Sequence, residues 1–466
     1  MAERKTEIAI IGAGTAGLAA ERSARRAGAR TLLIDDRFAG TTCATVGCMP
    51  SKLLIAAAKA AQGIREADRF GISAGPVRID GKAVMQRVRR LRDDFVSSIL
   101  ETFDALPADS KLKGKARFTG GTTLDVDGLA VEARAIVIAT GSFAMVPKPY
   151  RDLDNLLTNE NVFELDDLPA SLGVIGAGPL GLELAQAFAR LGVKVQVFGE
   201  GGKIAGLGDA AVATSLRALL EKEFPVHLDV EITPEKVSGG TRIRWSGKSE
   251  GSAVFSHVLV ATGRPPKLDG LGLEATGLDL DDHGTPVFDI TTLQCGAAPI
   301  FIAGDTNAKA PLLHEASAEG AIAGHNAATF PKVTPSKRKT MLAITFTEPS
   351  SAMIGKPPED DTIVGEADYS DQGRARVEGR AGGLVRLYAD PKGLLTGASM
   401  AAPGTEHMAH LIAWAIESRQ TAADLLNLPI YHPTLEEGMR GALRQICKTA
   451  ALPVPEDRDE GNAAGV

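Results

Sequence analysis

The chain has 466 residues, with 51 Lys or Arg against 58 Asp or Glu and a net charge of −7 at pH 7. This length exceeds what a single hydrophobic core supports, so we expect two to four domains. The mildly acidic balance, without a basic stripe, argues against nucleic acid as a partner. No apolar run reaches the roughly 18 residues of a membrane span, so we expect no membrane partner.

The four cysteines, Cys43, Cys48, Cys295 and Cys447, bear on the cellular compartment. The first seven residues lead straight into an apolar run and contain no hydrophobic signal-peptide segment. We therefore expect a cytoplasmic protein, and in the reducing cytoplasm a disulfide is usually catalytic rather than structural.

The N-terminal stretch has the pattern of a dinucleotide-binding unit. Gly12, Gly14 and Gly17 form a GxGxxG turn after an apolar strand at 8–11, and a helical pattern and a second strand ending at Asp35 follow. The glycines allow a tight turn, close approach of the backbone to a pyrophosphate and close helix packing, while Asp35 can bind a ribose hydroxyl. Because strands and acid accompany the glycines, the pattern indicates a bound dinucleotide.

The next segment carries two cysteines, Cys43 and Cys48, with four residues between them and directly before a helical pattern. Pro50 and Ser51 stand where helix start signals belong, which places Cys48 beside a helix N-terminus. The partial positive charge there and the nearby Lys52 favour a thiolate, and a second thiol in reach permits thiol–disulfide exchange. Two buried structural cysteines or half of a metal site are the alternatives, although no second ligand pair exists and we expect no metal.

The region up to residue 141 mixes helices and short strands. The predicted elements are helices from Leu53 onward and from about Lys82 to Leu106, strands at 116–118 and 123–126, and a buried strand at 135–139 that ends in Thr140-Gly141.

A second dinucleotide unit follows. Gly176, Gly178 and Gly181 form its turn, between predicted strands at 172–175 and 193–198. The position that matches the acid of the first unit is Gly199, followed by Glu200. A ribose 2′-phosphate favours an arginine here and none is present, so the sequence favours NAD while leaving NADP open.

Two later strands also end in turns, at Thr262-Gly263-Arg264 and at Gly304-Asp305. Asp305 suits either a cofactor contact or the N-cap of a helix predicted at 311–328. Beyond about Pro335, an antiparallel sheet and two helices are predicted, with strands at 341–346, 374–377 and 384–388 and helices at 404–418 and 420–426. The tail from about Pro453 has no apolar period and is predicted to be disordered.

Close to the C-terminus, His432 precedes a proline and is expected to be extended. Thr434 and Glu437 have the spacing of a capping box, which is a sufficient structural reason for both residues. By residue type alone, His432 is more often a surface or packing histidine than a catalytic base.

Together these motifs resemble those of the class I pyridine nucleotide–disulfide oxidoreductases, which include dihydrolipoamide dehydrogenase, glutathione reductase and mercuric reductase. The family motif Gly-Gly-Thr-Cys-x-Asn-x-Gly-Cys-x-Pro-Ser-Lys matches residues 40–52, with Thr41 and Thr45 in place of a Gly and the Asn. His-Pro-Thr with a glutamate five residues on also matches. The resemblance covers about residues 6–450 and is closest to dihydrolipoamide dehydrogenase.

The resemblance implies a redox-active disulfide served by FAD. Cys43 would exchange with the substrate, and Cys48 would be the thiolate beside the flavin. Lys52, paired with Glu183, would stabilise the reduced flavin, although an acid early in a helix is favourable in its own right.

The resemblance also implies a homodimer whose active site is shared across the interface. His432 would move the proton of the substrate thiol in the partner subunit, and Glu437 would orient its ring. Ile430 and Tyr431 depart from the family's His and Ala and put the substrate in doubt. The implied cofactor residues are Gly12, Gly14, Gly17, Asp35, Thr42, Lys52, Thr140, Gly141 and Asp305 for FAD, and Gly176, Gly178, Gly181, Gly199 and Gly263 for NAD(P).

The implied fold class is α/β, glutathione-reductase-like, with two Rossmann-like domains and a C-terminal α+β dimerisation domain. The predicted segments are 1–145 and 267–335 for FAD, 146–266 for NAD(P), 336–452 for the interface and 453–466 for the tail.

Four functions are compatible with this pattern. Dihydrolipoamide dehydrogenase is favoured by Pro-Ser-Lys together with His-Pro-Thr. A reductase of another small, glutathione-like disulfide is left open by the entrance residues. Mercuric reductase is disfavoured because His432 is present and Cys447 is unpaired, and a non-catalytic scaffold of a lipoyl complex is disfavoured by the intact redox residues.

Overall fold

A computed structural model describes residues 3–454 of the chain. Its first sheet has seven strands: β1 (Glu3–Ile11), β2 (Thr31–Asp35), β3 (Lys111–Lys113), β4 (Ala116–Phe118), β5 (Thr123–Val126), β6 (Leu129–Ile138) and β15 (Ile300–Ile302). The order is β3-β2-β1-β6-β5-β4, and β15 also pairs with β6. Strands β3, β2, β1, β6 and β15 are parallel, while β4 and β5 are antiparallel to their neighbours.

The core lies on both faces of this sheet, which explains why the end of the central strand β1, residues 8–11, is apolar without alternation. Ile8 and Ile10 of β1 belong to the core on one face, and Ala9 and Ile11 belong to the core on the other. The associated helices are α1 (Thr15–Arg26), α2 (Thr42–Thr45), α3 (Cys48–Arg65), α4 (Gly81–Asp104) and α7 (Leu313–Thr329).

The second sheet is parallel and contains the second glycine-rich turn. Its strands are β7 (Leu156–Leu157), β8 (Ser171–Ile175), β9 (Lys194–Gly199), β10 (Val226–Leu228) and β14 (His257–Val260), in the order β10-β9-β8-β14-β7. The helices α5 (Pro179–Arg190) and α6 (Ala210–Leu220) accompany it. A small antiparallel sheet of β11 (Val230–Val237), β12 (Gly240–Gly247) and β13 (Gly251–Phe255) is inserted before β14.

The C-terminal part is an antiparallel sheet with helices. The strands are β16 (Leu342–Thr345), β17 (Ser351–Gly355), β18 (Ile363–Asp368), β19 (Leu384–Ala389) and β20 (Leu395–Ala401), in the order β16-β17-β20-β19-β18. The helices are α8 (Gly373–Val377), α9 (Thr405–Glu417), α10 (Ala422–Leu426) and α11 (Met439–Thr449).

Two local predictions are wrong. Residues 374–377 form helix α8 instead of a strand, because the Gln372 side chain caps it by accepting a hydrogen bond from Ala375 N at 2.8 Å. The capping box at Thr434 does not form either: its hydroxyl donates to the Tyr431 carbonyl at 2.8 Å instead of capping a helix. Only the reciprocal contact, from Thr434 N to Glu437 Oε1 at 3.2 Å, is present.

The positions of other elements follow the sequence closely. Strands β4 and β5 have the predicted bounds, whereas α3 begins at Cys48, ahead of the predicted start signals at Pro50 and Ser51. The domain boundaries remain predictions, and all but two residues of the predicted tail lie outside the described residues. Within residues 3–454, no helix is both long and apolar enough to cross a membrane.

Candidate functional site

A cavity of about 910 Å³ connects the two glycine-rich turns. Ten of the predicted site residues line it: Gly14, Thr42, Cys43, Cys48, Gly141, Gly176, Gly178, Gly199, Gly263 and Asp305. The parallel sheets explain this convergence, because the carboxyl ends of β1, β6, β15, β8 and β14 all lead to it. Gly12, Gly17, Asp35, Lys52, Thr140, Gly181, Glu183, His432 and Glu437 are not among the lining residues.

The first glycine-rich turn fits a dinucleotide. A Cβ on Gly12 would lie 2.3 Å from the Ala139 carbonyl oxygen, and one on Gly17 would lie 1.8 Å from the Gly12 oxygen, so the backbone excludes both. A Cβ on Gly14 would point into open space. Gly14 is also the N-cap of α1 and has no side chain to satisfy the first N–H groups, which leaves them for a phosphate.

The second turn repeats this arrangement. A Cβ on Gly176 would lie 2.4 Å from the Ala261 oxygen and one on Gly181 would lie 2.1 Å from the Gly176 oxygen, while Gly178 faces open space and caps α5. The residues present therefore fit two dinucleotides, one on each side of the same cavity.

Asp35 is held in place by the backbone around it. One carboxylate oxygen accepts from Ala13 N at 2.9 Å, and the other accepts from Arg37 N at 2.9 Å and Phe38 N at 2.8 Å. The Asp35 carboxylate thus links the first glycine-rich turn to the end of β2. Its remaining lone pairs can accept a hydrogen bond from a ribose hydroxyl.

The two cysteines of the sequence motif lie on neighbouring helices, the four-residue α2 and the 18-residue α3. Cys43 is in α2, Cys48 is the first residue of α3, and both are free thiols. Donation of a hydrogen bond from the Cys43 thiol, the charge of Lys52 and the backbone N–H at the helix start lower the pKa of Cys48 to about 6, against the effect of burial. Hydrogen bonding to Cys48 and burial raise the pKa of Cys43. At neutral pH the pair is therefore a thiolate at Cys48 and a thiol at Cys43.

The departures from the family motif stabilise the loop between the sulfurs. Thr41 is the N-cap of α2 and accepts from Ala44 N at 3.4 Å. Thr45 donates its hydroxyl to the Thr41 carbonyl at 2.9 Å. The two substituted residues therefore contact each other within one turn.

Lys52 lies one helical turn beyond Cys48 and is held from two sides. Its Nζ is 2.7 Å from Glu183 Oε2 and 4.4 Å from the centre of the Phe346 ring. Glu183 is buried in α5, and its second oxygen accepts from Phe346 N at 2.9 Å. The predicted Lys52–Glu183 contact thus exists, and Phe346, directly after β16, contacts both of its members.

Asp305 is not the N-cap of α7, because that helix begins at Leu313 after Leu312. Its Oδ2 instead accepts a hydrogen bond from Ser142 Oγ at 2.7 Å. The hydroxyls of Thr140 and Thr306 bond to each other at 3.0 Å, which joins the two segments that carry these residues.

His432 and Glu437 form a pair away from the cavity. His432 Nδ1 is 2.9 Å from Glu437 Oε2, with the histidine side chain 55% exposed and the glutamate 4% exposed. A buried carboxylate that binds Nδ1 leaves Nε2 of the ring directed outward as the free nitrogen. Within one chain the pair does not line the cavity that contains the sulfurs.

The cavity wall beside the second glycine-rich turn contains position 199, where the first unit has an acid. Gly199 is buried at the end of β9, where a Cβ would lie 3.0 Å from Leu228 Cδ2. Glu200 and Lys203 follow in the cavity wall, whose lining residues between 198 and 206 include no arginine.

Sequence reasoning missed several residues that organise the site. Ser142 and Asn159 carry no local signal, and Phe346 appeared only as part of an alternating strand. Arg264 stands directly after a predicted Thr-Gly turn, which was the one available hint. Within residues 3–454, no three His, Cys, Asp or Glu side chains gather as a metal site.

Comparisons with known proteins agree with this arrangement. Residues 6–320 match the family described as pyridine nucleotide-disulphide oxidoreductase, and residues 341–443 match its dimerisation domain. The chain is 31% identical to dihydrolipoyl dehydrogenase of Bacillus subtilis, over 94% of this chain and 97% of that protein. It is also 31% identical to mercuric reductase of Streptomyces lividans, over 95% and 96%.

A solved structure shows the same fold. The HOCl-induced flavoprotein disulfide reductase RclA from Escherichia coli, in its Cu(II) complex, aligns with a TM-score of 0.81 at 22% identity, over 95% of this chain and 99% of that one. The fold class is therefore α/β with a C-terminal dimerisation domain, as predicted. The chain belongs to the pyridine nucleotide-disulphide oxidoreductase family, as a flavoprotein disulfide oxidoreductase that uses FAD and NAD(H).

Proposed function

We propose that the protein is a cytoplasmic, homodimeric dihydrolipoamide dehydrogenase, which oxidises a dithiol and reduces NAD. The observation that carries the proposal is the Cys43–Cys48 pair in a cavity that both dinucleotide turns line. The similarity to dihydrolipoyl dehydrogenases over nearly the whole chain supports the choice of substrate.

The first chemical step is thiol–disulfide exchange. One substrate thiolate attacks Cys43 Sγ of the oxidised enzyme, a substrate–Cys43 bond forms, and the Cys43–Cys48 bond breaks. Cys48 leaves with the electron pair, and its lowered pKa makes it a good leaving group. The second substrate thiol then displaces Cys43, which releases the substrate disulfide and leaves the enzyme with two reduced sulfurs.

The base for these steps is His432 of the other subunit. Nε2 accepts the proton of the substrate thiol, while the bond from Nδ1 to Glu437 fixes the ring and stabilises the imidazolium. The match to the dimerisation domain supports a site shared by two chains, and so does the absence of this pair from the lining of its own chain's cavity.

The remaining roles concern electron transfer. FAD, when bound, would supply a two-electron carrier between the dithiol and NAD. Lys52, fixed by Glu183, places a positive charge one turn from Cys48. Among the residues that line the cavity, Gly14, Thr42, Gly141 and Asp305 would hold FAD, and Gly176, Gly178, Gly199 and Gly263 would hold the nicotinamide dinucleotide. The overall balance is dithiol plus NAD⁺ to disulfide plus NADH plus a proton.

The preference for NAD follows from charge. Glu200 lies one residue beyond the end of β9, where the carboxylate can bind a ribose diol and repel a 2′-phosphate. The matching position holds no arginine, although Lys203 is nearby.

A second candidate is an NADH-dependent reductase of another small disulfide. Tyr431 is 82% exposed and directly precedes the proposed base in the sequence, so its ring is available to contact a substrate at that base. The same exchange chemistry then runs in the opposite direction, since its direction is set by the potentials of the couples.

One assay separates these functions. The purified holoenzyme is tested with dihydrolipoamide plus NAD or NADP, and with NADH or NADPH plus lipoamide, glutathione disulfide or Hg²⁺. The proposal requires that kcat/KM be highest for the lipoamide couple with NAD. A higher value for another disulfide supports the second candidate, and preference for Hg²⁺ contradicts both.

A further inference from the structure

Three polar side chains, Ser142, Asn159 and Arg264, form a hydrogen-bonded unit between the redox loop and Asp305. Arg264 Nη1 donates to Asn159 Oδ1 at 3.0 Å, while its Nε and Nη2 donate to the hydroxyl and carbonyl of Ser142 at 3.1 and 3.0 Å. We infer that this unit, here called the clamp, is a positioning device that fixes the loop between the two sulfurs relative to the flavin-side carboxylate of Asp305.

One end of the clamp holds the redox loop. Asn159 Nδ2 donates to the carbonyl of Val46 at 3.1 Å, and Val46 lies between Cys43 and Cys48. Asn159 is only 4% exposed, and its two partners determine which amide atom faces which group. A buried amide with both ends bonded in this way is a rigid connector.

The other end of the clamp holds Asp305. The Ser142 hydroxyl accepts from Arg264 and donates to Asp305 Oδ2 at 2.7 Å. The positive guanidinium therefore polarises the hydroxyl that binds the carboxylate, and it orients the other carboxylate oxygen for a ligand.

The clamp residues Ser142 and Arg264 are carried by two backbone segments, 141–145 and 263–267, that are bonded to each other. Ser142 and Arg264 lie on the two segments that connect the sheets, and backbone bonds join these segments. The bonds are Phe143 N to Pro265 O at 3.2 Å, Met145 N to Gly263 O at 3.0 Å and Lys267 N to Gly141 O at 2.8 Å. A displacement of the redox loop relative to Asp305 must therefore break clamp bonds.

The inference rests on the proposed function for the role of Asp305, but its main test needs neither substrate nor turnover. Asn159→Asp keeps an acceptor for Arg264 and removes the donor to Val46. The matched control is Asn155→Asp: Asn155 bonds in the same two-sided way, to the carbonyls of Phe255 and Ser256 and to the Thr241 hydroxyl, without touching the redox loop.

The measurement is the pH midpoint for alkylation of Cys48 by iodoacetamide in reduced enzyme. Three neighbouring side chains shift the pKa of Cys48: Cys43 and Lys52 lower it, and Glu183 raises it. When the loop loses its anchor, the donor Cys43 is less well placed, and we expect the midpoint to rise by roughly half to one pH unit. Asn155→Asp should leave it unchanged. An unchanged midpoint in Asn159→Asp, or an equal shift in the control, overturns the inference.

A second pair of variants tests the other end and serves if Asn159→Asp does not fold. Ser142→Ala should weaken FAD binding roughly tenfold with the alkylation midpoint unchanged, and Ser142→Thr should restore the affinity. Equal FAD affinity in the native protein, Ser142→Ala and Ser142→Thr contradicts the clamp. A native enzyme in which Cys48 titrates at its ordinary value contradicts the proposed chemistry instead, so the two failures are distinguishable.

Discussion

The thiolate at Cys48 depends mainly on one hydrogen bond, and replacement of Cys43 tests this. The pKa of Cys48 falls from an ordinary 9.0 to about 6, and the hydrogen bond from Cys43 is the largest cause. Cys43→Ala removes the donor, while Cys43→Ser retains a hydroxyl in the same place. Lys52 and the helix start remain in both variants, so only part of the lowering is lost.

The expected magnitude follows from that difference. We expect the Cys48 midpoint to rise by roughly one to two pH units in Cys43→Ala and by less than about half a unit in Cys43→Ser. Below its midpoint the group is an unreactive thiol, so reactivity is lost as pH falls through about 6 in the native protein. At pH 6.5 the thiolate fraction of Cys43→Ala should therefore be several-fold lower.

Alkylation by iodoacetamide, with the site identified by mass spectrometry, measures this midpoint. Cys295 and Cys447 are fully buried, so they should not contribute in the folded protein. The midpoint is a better measure than the rate, because the nucleophilicity of a thiolate falls as its pKa falls. Equal midpoints in the alanine and serine variants would refute the hydrogen bond as the main cause.

Three further predictions concern the base, a glycine turn and a buried ion pair. His432→Gln should slow lipoamide turnover by roughly 10²-fold with an unchanged flavin spectrum, and near-normal turnover removes it as the base. Gly14→Ala should fold but lose FAD, whereas Gly17→Ala should fail to fold because its Cβ would lie 1.8 Å from a carbonyl oxygen. FAD content and thermal melting measure the two effects. A Gly17→Ala protein that melts like the native one, or a Gly14→Ala protein that keeps its FAD, contradicts this. Glu319→Ala should cost about 3 kcal/mol in urea unfolding, since the fully buried carboxylate bonds Arg338, whereas Lys337→Ala, at an exposed ion pair, should cost less than about 1 kcal/mol.

The sequence predicted those parts of the fold that local pattern determines. Strands β4 and β5 matched to the residue, and both glycine-rich turns lie between the expected strands and helices. The errors at 374–377 and at Thr434 have one origin. In both places a side chain bonds a backbone group that the pattern does not specify. The Gln372 side chain accepts from Ala375 N in the first, and the Thr434 hydroxyl donates to the Tyr431 carbonyl in the second.

The site was less predictable, because its contacts join residues far apart in sequence. Asn159 reads as an ordinary turn residue, yet its partners Val46 and Arg264 lie 113 and 105 residues away. Phe346 contacts Lys52 and Glu183 only because β16 packs beside α5. No local period encodes such contacts, so only the folded chain reveals them.

The two departures from the family motif are better regarded as one change. Thr41 caps α2, and Thr45, four residues later, bonds the Thr41 carbonyl with both its N–H and its hydroxyl, at 3.0 and 2.9 Å. Gly40 precedes them at a φ of 102°, and a Cβ there would lie 3.0 Å from the Thr45 methyl. A residue larger than glycine at position 40 would therefore require a different residue at position 45. The threonine pair has the geometry to hold the loop between the sulfurs without the asparagine of the motif. The relative position of the two sulfurs depends on this loop, and in this chain the threonine pair stabilises it.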